Sequence, residues 1–65
     1  MKLIATDHLG VQIFSNKWNT ENKLEKNGIF QYDDTLWIVK EITSIENHYI
    51  IAYIEEYKPL VIDEQ

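Results

Sequence analysis

The stretch from Ile29 to Tyr57 limits the possible folds most. It contains neither glycine nor proline and is dense in isoleucine and tyrosine. Those residues suit a pleated, half-buried surface. The stretch therefore reads as three strands: Ile29–Tyr32, Leu36–Ile45 and His48–Tyr57. The breaks between them fall at Asp33-Asp34 and Glu46-Asn47, residue types that tolerate the backbone of a tight hairpin. A two-residue loop at the first break pairs Tyr32 with Thr35 and Phe30 with Trp37. The second hairpin pairs Ile45 with His48. It thereby places Ile42 opposite Ile51, Lys40 opposite Tyr53, Val39 opposite Ile54 and Trp37 opposite Glu56.

Side chains alternate along a strand, so this register defines two faces. One carries Phe30, Tyr32, Trp37, Val39, Ile50, Ala52 and Ile54 and is expected to be the core, because it pairs the large aromatics across strands. The other carries Ile29, Leu36, Ile38, Ile42, Tyr49, Ile51, Tyr53 and Tyr57. A single small sheet needs only one buried face. The surplus of apolar residues, and the tyrosines with their polar tips, point to an interface on the second. Ile38, Ile42, Ile51 and Tyr53 are its expected self-association residues, most simply in a two-fold dimer.

The first part of the chain predicts a hairpin, with Lys2–Thr6 turning at Asp7-His8-Leu9-Gly10 into Val11–Phe14, where Val11 and Ile13 share a face. Ser15–Asn27 is polar, with only Trp18 and Leu24 apolar. It reads as a long loop with a short helical turn over 20–27, capped by Thr20 and stopped by Gly28 in a left-handed conformation. Trp18 is expected to fold back onto the sheet. Pro59 cannot donate to a ladder and ends the last strand. Leu60–Ile62 reads as a short closing strand and Asp63-Glu64-Gln65 as a frayed end. The expectation is one all-β domain over residues 1–65. It is a small, twisted antiparallel sheet of about five strands curling into a partly open barrel.

A 65-residue chain buries only about 60% of the surface its unfolded form exposes. It has no cysteine, which excludes disulfides and thiolate metal sites and leaves oligomerisation as the expected source of further burial. No apolar run is long enough for a helical membrane span, and Asp7 comes too early for a signal-peptide core. Isoleucine, asparagine, lysine and glutamate are plentiful and arginine is absent, as in AT-rich genomes. Together these predict a soluble, cytoplasmic protein of a bacterium or a phage-infected host.

The charge is lopsided. Residues 1–28 hold four lysines against three acids, a net +1, and residues 29–65 hold two lysines against eight acids, a net −6. Such a chain repels phosphate backbones, so direct nucleic-acid binding is not expected. Its acidic half suits a basic protein surface. The register gathers Asp33, Asp34, Glu55 and Glu56 at one end of the sheet between Tyr32 and Tyr57, and these six residues are the expected partner-binding site.

Nothing in the chain reads as catalytic. His8 and His48 have no ligand cluster or nucleophile around them, and the two glycines make no phosphate loop. Glu55 and Glu56 point to opposite faces, which opposes convergence of the four carboxylates on one metal ion. The expectation is therefore a non-catalytic protein-binding module without metal or cofactor, in its concrete form a small acidic inhibitor, phage-encoded, that covers a basic surface of its target. The alternatives are an oligomer that sequesters a small molecule or nucleotide, and an accessory structural subunit.

Overall fold

The computed structural model describes residues 1–19 and 21–59. Five strands form one sheet: β1 (Lys2–Thr6), β2 (Gln12–Lys17), β3 (Ile29–Tyr32), β4 (Thr35–Ile45) and β5 (Tyr49–Glu56). Their spatial order is β2-β1-β5-β4-β3. The sheet curls through 215° into a half-barrel, and no helix forms among the described residues. The expected all-β, partly open barrel is thus the fold. It is a mixed sheet rather than a wholly antiparallel one, because β1 runs parallel to β5.

Local chemistry makes the hairpins. At the first turn the Asp7 carboxylate accepts from the backbone N–H groups of Leu9 and Val11, while the Gly10 N–H donates to the Asp7 carbonyl. Gly10 takes φ 84°, which its missing Cβ makes cheap. Asp33 and Asp34 both take positive φ, 55° and 64°, as a two-residue hairpin loop of the primed type requires. The β3–β4 register follows as expected, with Tyr32 opposite Thr35 and Phe30 opposite Trp37.

The β4–β5 register agrees with expectation only near the acidic end. Trp37 lies opposite Glu56, Ile38 opposite Glu55 and Val39 opposite Ile54. Irregularities between Val39 and Glu41, and again between Ile42 and Ser44, then each insert a residue into β4. Tyr53 therefore faces Glu41 rather than Lys40, and Ala52 rather than Ile51 faces Ile42. One inserted residue reverses the side-chain alternation. Ile42, expected on the outer face, turns inward and packs against the core. The turn after β4 is also shifted by one residue, from the expected Glu46-Asn47 to Asn47-His48, since Ile45 pairs with Ile50 and the Glu46 N–H donates to the Tyr49 carbonyl.

The core is small: Leu3, Ala5, Val39, Ala52 and Ile54 are fully buried on the concave side. Around them pack Phe14, Trp18, Leu24, Phe30, Trp37 and Ile42. β1 supplies two core residues because it lies between β2 and β5, and its Leu3 and Ala5 fall opposite Ile50 and Ala52. A register shift where Ala5–Thr6 meets β2 skips Ile13, turning Phe14 inward opposite Ala5 and leaving Ile13 exposed.

Residues 21–28 form turns, not the expected helical turn. Asn22 N–H donates to Asn19 and Gly28 N–H to Glu25. The segment has too few apolar residues to bury a helix face. The left-handed residue is Asn27, φ 70°, not Gly28. What Gly28 supplies is room, since a Cβ there would stand 2.9 Å from the Glu25 carbonyl oxygen. Trp18 does fold back onto the core, and its indole N–H donates to the Asn22 carbonyl. Thr20, the expected cap, and residues 60–65, with the expected closing strand and frayed end, lie outside the described residues.

Candidate functional site

The half-barrel is closed by side chains rather than by backbone. No Cα of β2 comes within 8 Å of a Cα of β3. Phe14 reaches across this seam from β2. Its ring stacks on Tyr32 at 3.9 Å between centroids and 6° between planes, and meets Phe30 edge-on at 6.5 Å and Trp37 at 5.6 Å. Trp18 adds an edge-to-face contact with Phe30 at 5.4 Å. Tyr32 was expected in the partner site. Its ring is instead half-buried in this stack, although the residue still borders the acidic turn.

The remaining acidic-end residues lie toward the same end of the sheet. The Asp33-Asp34 turn ends the β3–β4 hairpin, and Glu55 and Glu56 end β5 opposite Ile38 and Trp37. The Tyr57 N–H carries the ladder one step further by donating to the Leu36 carbonyl. All four carboxylates are on exposed residues. Alternation sends Glu55 to the convex face and Glu56 to the concave side. Among the described residues the ion pairs are Lys23–Glu25 at 3.9 Å and Lys26–Glu41 at 3.7 Å, so none of the four is neutralised by a lysine. Beside them Ile29 and Leu36 stand 49% and 40% exposed on the convex face. The result is an apolar strip with an acidic border.

The four expected self-association residues do not share a face. Ile38, Ile51 and Tyr53 are half-buried on the convex side, while the first bulge carries Ile42 to the concave side. Tyr53 lies between charged groups. Its hydroxyl donates to the Glu55 carboxylate, and its ring lies 6.5 Å from that of His8. The bond to Glu55 raises the Tyr53 pKa, with desolvation and the negative charges of Glu55 and Asp7 adding to it. The His8 neighbourhood holds no nucleophile poised on an imidazole. No group of three or more histidine, aspartate or glutamate side chains among the described residues is placed to hold a metal ion.

A cleft of about 340 Å³ opens between Trp18 with residues 21–25 and the β3–β4 hairpin, with Trp18, Leu24, Phe30 and Val39 as its apolar lining and Glu21, Asn22 and Glu25 as its polar lining. Sequence reasoning missed it, because it forms only where the polar loop crosses the open end of the curl. No helix of the described residues is long and apolar enough to cross a membrane. No protein-family model matches this chain, and neither a curated protein nor a solved structure does.

Proposed function

We propose that this protein is a non-catalytic binding module whose acidic end covers a basic surface of another protein, acting as a small inhibitor of that target. One observation carries the reading. Asp33, Asp34, Glu55 and Glu56 lie toward one end of the sheet, with no lysine of the described residues paired to them, on the same side of the register as exposed Leu36 and two pairs from exposed Ile29. Apolar contact with a charged border is how a specific interface divides its work: the centre supplies affinity and the rim steers encounter. Tyr57, half-buried at the end of β5, is the expected anchor beside the carboxylates.

The turn allows a clean test. Both aspartates have positive φ, so Asp33→Asn with Asp34→Gly keeps the hairpin and makes the turn chemically easier while removing two charges. Capture of a basic protein from a bacterial lysate by the immobilised chain should be strong in dilute buffer and weak at high salt. It should drop severalfold with the neutral turn while thermal stability holds or rises. Capture indifferent to both salt and turn charge would overturn the reading.

A second reading rests on the cleft between Trp18 with residues 21–25 and the hairpin, whose aromatic and carboxylate lining suits a small cationic ligand. A thermal upshift with small amines, absent with Trp18→Ala, would favour it instead.

A further inference from the structure

We propose that the free edge of β3 takes up an extended, lysine- or arginine-bearing segment of the partner as an added strand. This deepens, and rests on, the reading that the acidic end meets a basic protein. The inference begins with hydrogen-bond alternation. Among the described residues β3 has β4 as its only neighbour in the sheet. Tyr32–Thr35 flanks a two-residue loop, so it is a hydrogen-bonded pair, as are Phe30–Trp37 and then Gly28–Val39, where the Val39 N–H donates to Gly28. Gln31 and Ile29 lie between these pairs. Their N–H and C=O groups therefore point away from β4, toward the seam.

Three observations say what fits there. The two edges of the half-barrel are guarded differently. β2 has a register shift and a lysine at its end, both common protections against strand addition. β3, Ile29-Phe30-Gln31-Tyr32, has a regular register and holds no lysine or proline. The opening is also wide enough. Four strand-to-strand steps span 215°, about 54° each, and the remaining arc of about 145° (360° less 215°) has room for one further strand at least. Finally, the edge runs directly into Asp33 and Asp34, so a strand laid along Gln31 and Ile29 brings one of its ends beside two carboxylates. A cationic segment is favoured there over a second copy of this chain, which carries the same net charge of −5. In strand addition the backbone supplies affinity and alternate side chains supply specificity. Here the outward side chains meet exposed Ile29, and the inward ones meet the Phe14–Tyr32 stack.

The test uses the full chain and a nine-residue peptide of alternating lysine and valine, followed by amide chemical shifts. The peptide should bind saturably, with the largest shifts at Ile29 and Gln31. Methylating the backbone nitrogens of either all its valines or all its lysines should weaken binding at least tenfold in one series and little in the other, because only one edge of the peptide faces β3. Replacing its lysines by glutamates should abolish binding. Gln31→Pro removes an outward N–H and no ladder bond, so it should lose at least tenfold in affinity while melting like the parent. If Gln31→Pro destabilises the chain, the two methylated series decide alone. Binding that persists within twofold in both series overturns strand addition and leaves the acidic-end reading standing. No binding, together with a dimer that Gln31→Pro converts to monomer, gives the edge to a second copy and overturns the proposal. Equal binding of the lysine and glutamate peptides overturns the acidic-end reading itself.

Discussion

Phe14 is the side chain on which the half-barrel should depend most for its size. It is the one β2 residue whose ring touches Phe30, Tyr32 and Trp37, and no backbone contact accompanies those three. Phe14→Ala should therefore cost more than its half-buried state suggests. Truncating a fully buried phenylalanine costs about 3–5 kcal/mol, and half burial brings that to roughly 2. The stacked pair with Tyr32 adds about 0.5–1.5 kcal/mol beyond area. A loss of about 2.5–3.5 kcal/mol follows. At about 0.05–0.15 kcal/mol per residue a domain of this length has only a few kcal/mol to lose. At about 4–8 °C per kcal/mol, the melting midpoint should fall by roughly 10–28 °C. Ile13→Ala is the control, since its neighbour is exposed at the bulge and should cost under about 0.5 kcal/mol. Urea unfolding followed by tryptophan fluorescence reads both, because Trp18 and Trp37 lie in the same cluster. Phe14→Leu should fall between them, keeping apolar volume and losing the stack. Phe14→Ala within about 0.5 kcal/mol of Ile13→Ala would refute the claim that side chains close this seam.

Deleting Lys40 should remove the first β4 bulge while Glu41 stays opposite Tyr53 and Ile42 stays inward opposite Ala52, so stability in the same assay should change by under about 1 kcal/mol; a loss of about 2 kcal/mol or more would mean that the bend of the bulge itself holds the core. Tyr53 should ionise above the ordinary 10.0 of tyrosine, because its neutral hydroxyl donates to Glu55. A folded pKa above the unfolded one gives stability that is present below pH 10 and lost as pH rises through the folded value. Ultraviolet difference titration should show Glu55→Gln moving one of the four tyrosines back down, and an unmoved titration would rule the bond out.

The parts of the fold that turn chemistry controls were legible in the sequence. Asp7 with Gly10 and the Asp33-Asp34 pair each determine a hairpin by themselves, through an Asx-type bond in one and positive φ in the other. The acidic end was legible for a related reason. The pairs Trp37–Glu56, Ile38–Glu55 and Val39–Ile54 all lie on the near side of the first bulge, so a simple register places the carboxylates correctly. Beyond Val39 the same register fails. No residue near Lys40 or Thr43 announces a bulge, since both are ordinary polar residues of a strand. The parallel pairing of β1 with β5 was not legible either. It joins segments more than forty residues apart, and local propensity says nothing about such a partner. Leu3-Ile4-Ala5, small and apolar on both faces, fits a central strand only once its two neighbours are known.

These two illegible features explain the one on which the proposed strand addition rests. Bulges bend a strand and increase its twist. With two in β4 and another where β1 meets β2, the sheet curls far enough to bring Phe14 onto Tyr32, yet not far enough for β2 to pair with β3. A flatter sheet would expose both aromatic rims; a tighter one would hydrogen-bond its own edges and leave nothing to offer. The observed curl does neither. Phe14, Phe30 and Tyr32 become the floor of a seam whose β3 wall points two N–H and two C=O groups away from β4, by the alternation of its ladder. The surplus of apolar residues in Ile29–Tyr57 is thus divided in two. One part closes the barrel from inside, and Ile29 and Leu36 remain outside, next to the carboxylates, where a partner strand would meet them.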